Sequence, residues 1–269
     1  MNLVIAAIAG LVIGLSLGAL GGGGSILTVP VLIYLLGQDP QAATTGSLVV
    51  VGVSALTGAI SHARAGRVRW GQGLLFGVVG TGGTWLGAKA AAGVPAQVLL
   101  GAFSLLLIAV SVVMFLRSRA GRSPGAEGEE HPILTWTPSF VCDCPRALKV
   151  LVTGTGVGLL TGFFGVGGGF VVVPALSLAL GFSMPVAVGT SLLVIVVNSL
   201  TALAARLSHG VEIDWAVIAM ITVVAMAGSV LGTRVASKVP ARMLTRAFAV
   251  LLALVAGYMA ISTLPALLS

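Results

Sequence analysis

The stretch Gly18-Ala19-Leu20-Gly21-Gly22-Gly23-Gly24-Ser25, running on through Ile26-Leu27-Thr28-Val29-Pro30, decides how this chain folds. It lies between two apolar runs and ends in a proline. It also recurs, as Gly162-Phe163-Phe164-Gly165-Val166-Gly167-Gly168-Gly169 leading into Phe170-Val171-Val172-Val173-Pro174. Gly18 answers to Gly162, Gly21 to Gly165, Gly23 and Gly24 to Gly167 and Gly168, and Pro30 to Pro174, each pair 144 residues apart. A glycine inside a helix costs about 1 kcal/mol relative to alanine. Two glycine runs set in hydrophobic sequence therefore need a reason.

Composition supplies the setting. The 269 residues are 57% hydrophobic and 8% charged, with a mean hydropathy of +1.13. A soluble domain carries about 25% charged residues, so this chain cannot cover a water-facing surface and its solvent is the lipid bilayer. The net charge of +7 does not indicate nucleic acid, because the basic residues sit at the ends of apolar segments, where membrane proteins place them. The N-terminal run resembles a signal peptide in its apolar stretch and small residues. It lacks a basic leader, however, and its equivalent is repeated from about Lys149, so it is expected to belong to the fold.

Taken in order, apolar segments are expected over Leu3–Leu20, Ser25–Leu36, Thr44–Ala63, Trp70–Ala92 and Ala96–Leu116. After a polar stretch the pattern restarts over Ala147–Thr161, Gly169–Leu180, Val188–Leu207, Trp215–Ser237 and Ala241–Ser262. The last three of each set approach the roughly 20 residues that cross a bilayer, whereas the second of each set is too short to do so comfortably. Residues 1–117 thus read as a first transmembrane repeat, 118–146 as a polar cytoplasmic linker and 147–269 as a second repeat. Val94-Pro95-Ala96 matches Val239-Pro240-Ala241 and Trp70 matches Trp215, now at a spacing of 145.

The charges argue for inversion of one repeat relative to the other. Arg64, Arg67 and Arg69 mark one turn of the first half, and the next turn region carries only Lys89. In the second half Arg206 and His209 are offset by Glu212 and Asp214, while the following turn region carries Arg234, Lys238, Arg242 and Arg246. If basic turns face the cytoplasm, equivalent turns lie on opposite sides. The fold class expected is an all-α polytopic membrane protein of two homologous repeats in inverted topology. Each repeat has a Gly-rich broken helix or helical hairpin plus three spanning helices, giving about eight to ten membrane segments in all. The competing arrangement treats each hairpin as one broken span and makes the halves parallel.

Glycine is then explained by what the hairpin tips do. Non-helical backbone at membrane depth is tolerated only where protein or a water-filled cavity satisfies it. Each tip precedes a helix N-terminus, whose free N–H groups and positive dipole end form an anion site, and glycine admits a ligand close to the backbone. The candidate substrate-binding residues are Gly21, Gly22, Gly23, Gly24 and Ser25, with Gly165, Gly167, Gly168 and Gly169. Thr45 and Ser47, Thr190 and Ser191, and Asn198, an amide inside a predicted span, are added as polar groups at depth. The bland alternative, close helix packing through small residues, fits the scattered Gly10, Gly14, Gly73, Gly77 and Gly87 better.

Several functions are disfavoured. All seven acids lie at segment ends or in the linker, so no carboxylate is placed as a mid-membrane proton relay. His62 is near a span end, where capping or an interfacial role competes with a relay. Cys142-Asp143-Cys144 with His131 lacks the usual metal-site spacing, and no metal or other cofactor is expected. No nucleophile–base pair or HExxH pattern points to an enzyme.

The sequence resembles the sulfite exporter family, TauE/SafE, also called the four-toluene sulfonate uptake permease family. The resemblance rests on the paired motifs over 18–32 and 162–176, on Ala43-Thr44-Thr45-Gly46-Ser47 and Val188-Gly189-Thr190-Ser191, and on the Gly66 and Gly210 turns. It implies a multi-pass inner-membrane transporter of small inorganic or organic sulfur anions such as sulfite, sulfoacetate and other organosulfonates. Export suits a monoanion, because a negative-inside potential drives it outward by about 2.3 kcal/mol per 100 mV. An anion channel and a non-transporting membrane subunit or assembly factor remain the alternatives, and self-association stays open.

Overall fold

The computed structural model of the chain describes residues 3–91, 94, 96–119, 144–164, 169–207 and 214–268. Among these residues the secondary structure is helical throughout. The helices are α1 Leu3–Leu20, α2 Gly23–Pro30, α3 Pro40–Arg64, α4 Trp70–Ala91, α5 Ala96–Arg119, α6 Cys144–Phe164, α7 Gly169–Leu178, α8 Met184–Leu207, α9 Trp215–Lys238 and α10 Ala241–Leu268. By length and composition, four described stretches can cross a membrane: Gln41–Arg64, Met184–Ala204, Trp215–Lys238 and Ala241–Tyr258. Shorter apolar helices accompany them, including Ile5–Leu20, Gly101–Leu116 and Leu148–Phe164. The sequence reading expected α4 among the spans. α4 is not among the four, and α5, also expected as a span, contributes the shorter apolar stretch Gly101–Leu116. Ile8, Val78, Trp85, Leu105, Leu200, Val223 and Leu254 are exposed, an apolar exterior that suits lipid and would drive association in water.

Local chemistry sets the boundaries. Asp39 caps α3, its Oδ2 accepting from the N–H groups of Gln41 at 2.9 Å and Ala42 at 3.4 Å, with Pro40 at the first helical position. Asp214 caps α9 in the same way, its Oδ1 accepting from Ala216 at 3.1 Å and Val217 at 3.3 Å. Two of the acids placed at segment ends by the sequence are therefore helix caps. The expected Ser25–Leu36 segment divides at Pro30, which has no N–H to donate. Beyond it Val31–Leu35 widens into a π-helical turn, closed by Leu36 N–H to the Val31 carbonyl at 3.2 Å. That turn and α7 each run into a left-handed glycine, Gly37 with φ +65° and Gly181 with φ +71°, and these too are 144 residues apart.

Helix contacts run between the halves. α1 lies along α9, with Gly14 and Gly18 directly on the carbonyls of Ala225 and Ser229, and Gly228 and Gly232 on those of Leu11 and Leu15. α6 lies along α4 in the same manner, with Gly158 and Gly162 on the carbonyls of Gly80 and Thr84, and Gly83 and Gly87 on those of Thr155 and Leu159. The glycines recur every fourth residue, so each helix presents a groove that admits the other backbone. Gly73 and Gly77 of α4 rest on Leu193 and Val197 of α8. Both pairs, α1 with α9 and α4 with α6, run parallel.

α3 and α8 instead cross antiparallel. Gly52 faces Ser199, Gly58 faces Leu192, and His62 faces Gly189. These two helices and α1 form the centre, where Leu17, Val51, Ala55, Ala59, Leu192 and Ile195 are buried together. A larger core joins α5, α7, α8 and α10 through Phe103, Phe170, Val172, Leu176 and Phe248.

The glycine grooves generate a stability prediction. Gly14→Ala and Gly158→Ala place a methyl group on a neighbouring backbone carbonyl and are expected to destabilise the detergent-solubilised protein by about 1–3 kcal/mol. Gly82→Ala and Gly156→Ala meet nothing within 4 Å and are expected to be neutral or slightly stabilising. Melting temperatures of the four variants check this.

Candidate functional site

The chain leaves α1 at Leu20 and starts α2 at Gly23, so only Gly21 and Gly22 make the reversal. Gly21 has φ +70°, a conformation that side chains with a Cβ rarely adopt, and its N–H still closes α1 on the Leu17 carbonyl at 2.8 Å. The expected four-glycine tip is thus shorter than predicted: Gly23 and Gly24 already form the first turn of α2. Gly24 faces α1, where an added Cβ would come 2.5 Å from the Ile13 carbonyl and 2.8 Å from Leu17 Cβ. All four glycines are buried, so protein surrounds this irregular backbone.

Gly22 caps α2 without a side-chain hydrogen bond. The first N–H groups of a helix have no partner within it. The Ser25 hydroxyl donates back to the Gly22 carbonyl at 2.7 Å, and Thr28 back-bonds to the Gly24 carbonyl at 2.9 Å.

The opposing element is the start of α7. An added Cβ on Gly22 would fall on the Gly169 carbonyl group and the Phe170 nitrogen, and one on Gly169 would lie 2.8 Å from Ser25 Oγ. The backbone of the first tip therefore touches the backbone at the N-terminus of α7, with glycine on both sides of the contact. α8 passes beside it. Gly21 faces Ser191, 2.5 Å from an added Cβ to Oγ, and Gly169 faces Ile195 at 2.9 Å. Both contacts fall well inside Met184–Leu207, the length of α8.

Several aromatic rings join the end of α6 to the start of α7. Phe164 ends α6 and Phe170 lies in the first turn of α7. The Phe103 ring of α5 packs on both, with centroids 5.3 Å and 5.1 Å away, and Phe163 packs on Phe164 at 5.2 Å. Edge and tilted contacts of this kind add about 0.5–1.5 kcal/mol each beyond area burial.

This arrangement of a glycine-tipped apolar hairpin packed on the start of α7 agrees with the sequence comparison, in which the sulfite exporter TauE/SafE family profile matches residues 6–259. The chain belongs to the sulfite exporter TauE/SafE family. A probable membrane transporter protein of Xylella fastidiosa (strain 9a5c) is 34% identical over 260 residues, covering 96% of this chain and 94% of the relative. The probable membrane transporter protein YunE of Bacillus subtilis (strain 168) is 29% identical over 230 residues, covering 80% and 81%. MJ0441 of Methanocaldococcus jannaschii, also a probable membrane transporter protein, is 23% identical over 211 residues, covering 76% and 72%. No solved structure matches the chain significantly. As a TauE/SafE member, the chain is a multi-pass membrane transporter.

Within this TauE/SafE chain the predicted site residues divide into groups. Gly21, Gly22, Ser25, Gly169 and Ser191 come together at the contact described above. Gly165, Gly167 and Gly168 lie outside the described residues, as do His131 and Cys142. Thr190 sits beside Ser191 and accepts a hydrogen bond from the Arg69 N–H at 3.2 Å. Ser191 donates to the Val188 carbonyl at 2.8 Å. Thr45 and Ser47 donate within α3, to the Gln41 carbonyl at 2.9 Å and the Thr44 carbonyl at 2.8 Å. Asn198 lies further along α8 with a buried Oδ1 that has no partner, and its counterpart Ser54 has a buried Oγ in the same condition. Among the described contacts, none joins Thr45, Ser47 or Asn198 to the tip.

Sequence reasoning passed over Phe103, Phe164 and Phe170. The recurrence of Ala102-Phe103 as Ala247-Phe248 was the signal available for the first of them.

The contact predicts a graded response. Gly22→Ala sets a methyl group against the α7 backbone and is expected to destabilise by about 1–3 kcal/mol. Gly23→Ala meets first the flexible end of Leu251, at 2.7 Å, and is expected to cost less. Thermal unfolding of both variants in one detergent gives the comparison.

Proposed function

We propose that this TauE/SafE member exports small sulfur oxyanions, such as sulfite, sulfoacetate and other organosulfonates, through a site at the meeting of the two hairpin tips. The observation that carries the reading is the backbone contact of Gly22 with Gly169 and Phe170 beside the uncapped N-terminus of α2. Free N–H groups at a helix N-terminus favour an anion. Glycine on both sides lets the two backbones share one ligand once they part.

The site residues proposed are Gly21 to Ser25, with Gly165, Gly167, Gly168 and Gly169 from the second tip. Ser191, Thr190, Asn198, Thr45 and Ser47 are proposed as the polar lining of the path on α8 and α3. Residues 1–117 and 147–269 act as two inverted repeats joined by the cytoplasmic linker 118–146. The parallel course of α1 with α9 and of α6 with α4, together with the antiparallel crossing of α3 and α8, supports inversion, because equivalent helices then point in opposite directions. Trp70 and Trp215, both exposed at the first residues of α4 and α9, suit the two membrane interfaces. Alternating access is then a rocking of one repeat against the other that opens the tip contact to each side in turn.

A thermal-shift screen with sulfite, thiosulfate, sulfoacetate, taurine, sulfate, formate and chloride tests the substrate class. At 100 times its dissociation constant a bound anion adds about 2.7 kcal/mol of stability. The expected result is a shift with a sulfur oxyanion or sulfonate that Gly23→Leu or Gly167→Leu removes while each variant still reaches the membrane. Equal shifts in wild type and both variants would contradict the site, and no shift with any anion would contradict the substrate class.

A further inference from the structure

The corner between α3 and α4 holds chemistry that the tip does not use. His62, in the last turn of α3, is fully buried, and its Nε2 lies 3.0 Å from the Gly18 carbonyl at the end of α1. A carbonyl only accepts, so Nε2 carries the hydrogen and donates. In the neutral imidazole Nδ1 is then a bare acceptor, and in the imidazolium it becomes a donor. Nδ1 is buried without a partner.

The chain turns through Gly66 and folds back. Arg67 N–H donates to the His62 carbonyl at 3.0 Å, so the turn holds the two residues together. Arg67 Nη1 is also buried without a partner. Among the described residues six buried side-chain polar atoms lack partners, and three of them, His62 Nδ1, Arg67 Nη1 and Gln72 Oε1, fall within this one corner.

The corner is pinned to the start of α8. Gly189 abuts the Arg67 carbonyl and His62 Cβ, and Arg69 N–H donates to Thr190 Oγ1 at 3.2 Å. Thr190 precedes Ser191, which faces Gly21. The corner therefore lies next to the tip along α8. A buried guanidinium edge without an acceptor is costly, and an oxyanion is the ligand that satisfies it.

We propose that His62 and Arg67 form an anion-binding site at the α3–α4 corner, one step along the path from the tip, in which a small oxyanion is held by Arg67 Nη1 while His62 takes up one proton and donates it from Nδ1. This rests on the reading of the protein as an anion transporter and adds the proton as its partner ion. An anion that brings its own acidic O–H supplies that proton, and a sulfonate, which has none, draws it from solvent. Either way one proton accompanies one anion, and no carboxylate relay is needed. The charged groups near His62 are all cations, which oppose an imidazolium until a bound anion offsets them. Arg64, Arg67 and Arg69 follow it in sequence, α1 has no titratable residue over its whole length, and α8 has none before Arg206. α9, which also packs on α3, brings only the exposed Arg234 and Lys238 near its end.

Calorimetry of methanesulfonate binding to the full-length protein, in phosphatidylcholine nanodiscs and in two buffers of different ionisation enthalpy, reads the affinity and the protons taken up. The wild type is expected to take up about one proton per anion. His62→Gln, which keeps a donor for the Gly18 carbonyl but cannot titrate, is expected to take up none. Arg67→Gln is expected to weaken binding about tenfold or more. Wild-type proton uptake retained in His62→Gln, or an unchanged affinity in Arg67→Gln, would overturn the corner site and leave the anion-transporter reading standing. If His62→Gln does not purify as a monodisperse species, the Arg67→Gln affinity decides alone. No binding of methanesulfonate or sulfite by the wild type would overturn both readings.

Discussion

Everything in this molecule depends on satisfying irregular backbone inside lipid. A hairpin that reverses within the bilayer exposes N–H and C=O groups where no water can reach them, at several kcal/mol for each group left without a partner. The solution is to surround the reversal with other backbone. Gly21 and Gly22 are buried, Gly22 lies on the Gly169–Phe170 backbone, and the arms of the hairpin close on each other where Gly24 meets the Ile13 carbonyl. Such approaches are open only to residues without a side chain. Glycine is the condition for the hairpin to close this tightly, and its cost in helix propensity is the consequence.

The same constraint shapes the scaffold. Between lipid-facing helices there is little hydrophobic drive, so association relies on close packing. The glycine ladders of α1 with α9 and of α4 with α6 provide it, and each ladder joins the first half of the chain to the second. Neither half is therefore a free-standing bundle: each leading helix uses a late helix of the other half as its groove. Movement of one half against the other has to be carried through those ladders or around them. The centre, where α3 and α8 cross beside the tips, is packed through larger side chains such as Leu192 and Ile195.

Much of this was legible in the sequence because glycine and proline leave strong marks. The matched runs at 18–30 and 162–174 located the first hairpin and the start of α7 that it meets. Gly10 and Gly14, and Gly73 and Gly77, announced packing by their four-residue spacing, and the multi-pass membrane class followed from composition. The length of the first tip was not legible, because a four-glycine run does not say which glycine leaves the helix. Contacts fixed that: Gly23 and Gly24 have room to be helical against Leu251 and Leu17, while Gly21 takes the left-handed turn. Segment starts were also read late, since Asp39 with Pro40 begins α3 before its apolar run. Nor could the sequence show that His62, a residue near a span end, would fold under Arg67 and meet the carbonyl of Gly18, because that depends on how the α3–α4 corner seats on α8.

The central claim is that the path for the anion passes between the two tips, which must separate for transport. Ser25 and Gly169 sit on opposite sides of that contact, with Ser25 Oγ 2.8 Å from the position of a Cβ on Gly169, close enough for a disulfide to span. The most direct measurement is sulfite flux into proteoliposomes by a Ser25→Cys, Gly169→Cys protein in which Cys142 and Cys144 have been replaced by serine. The account predicts that oxidation joins the tips and stops flux and that a thiol reductant restores it. Flux that continues at its reduced-state rate with the cross-link fully formed would contradict it.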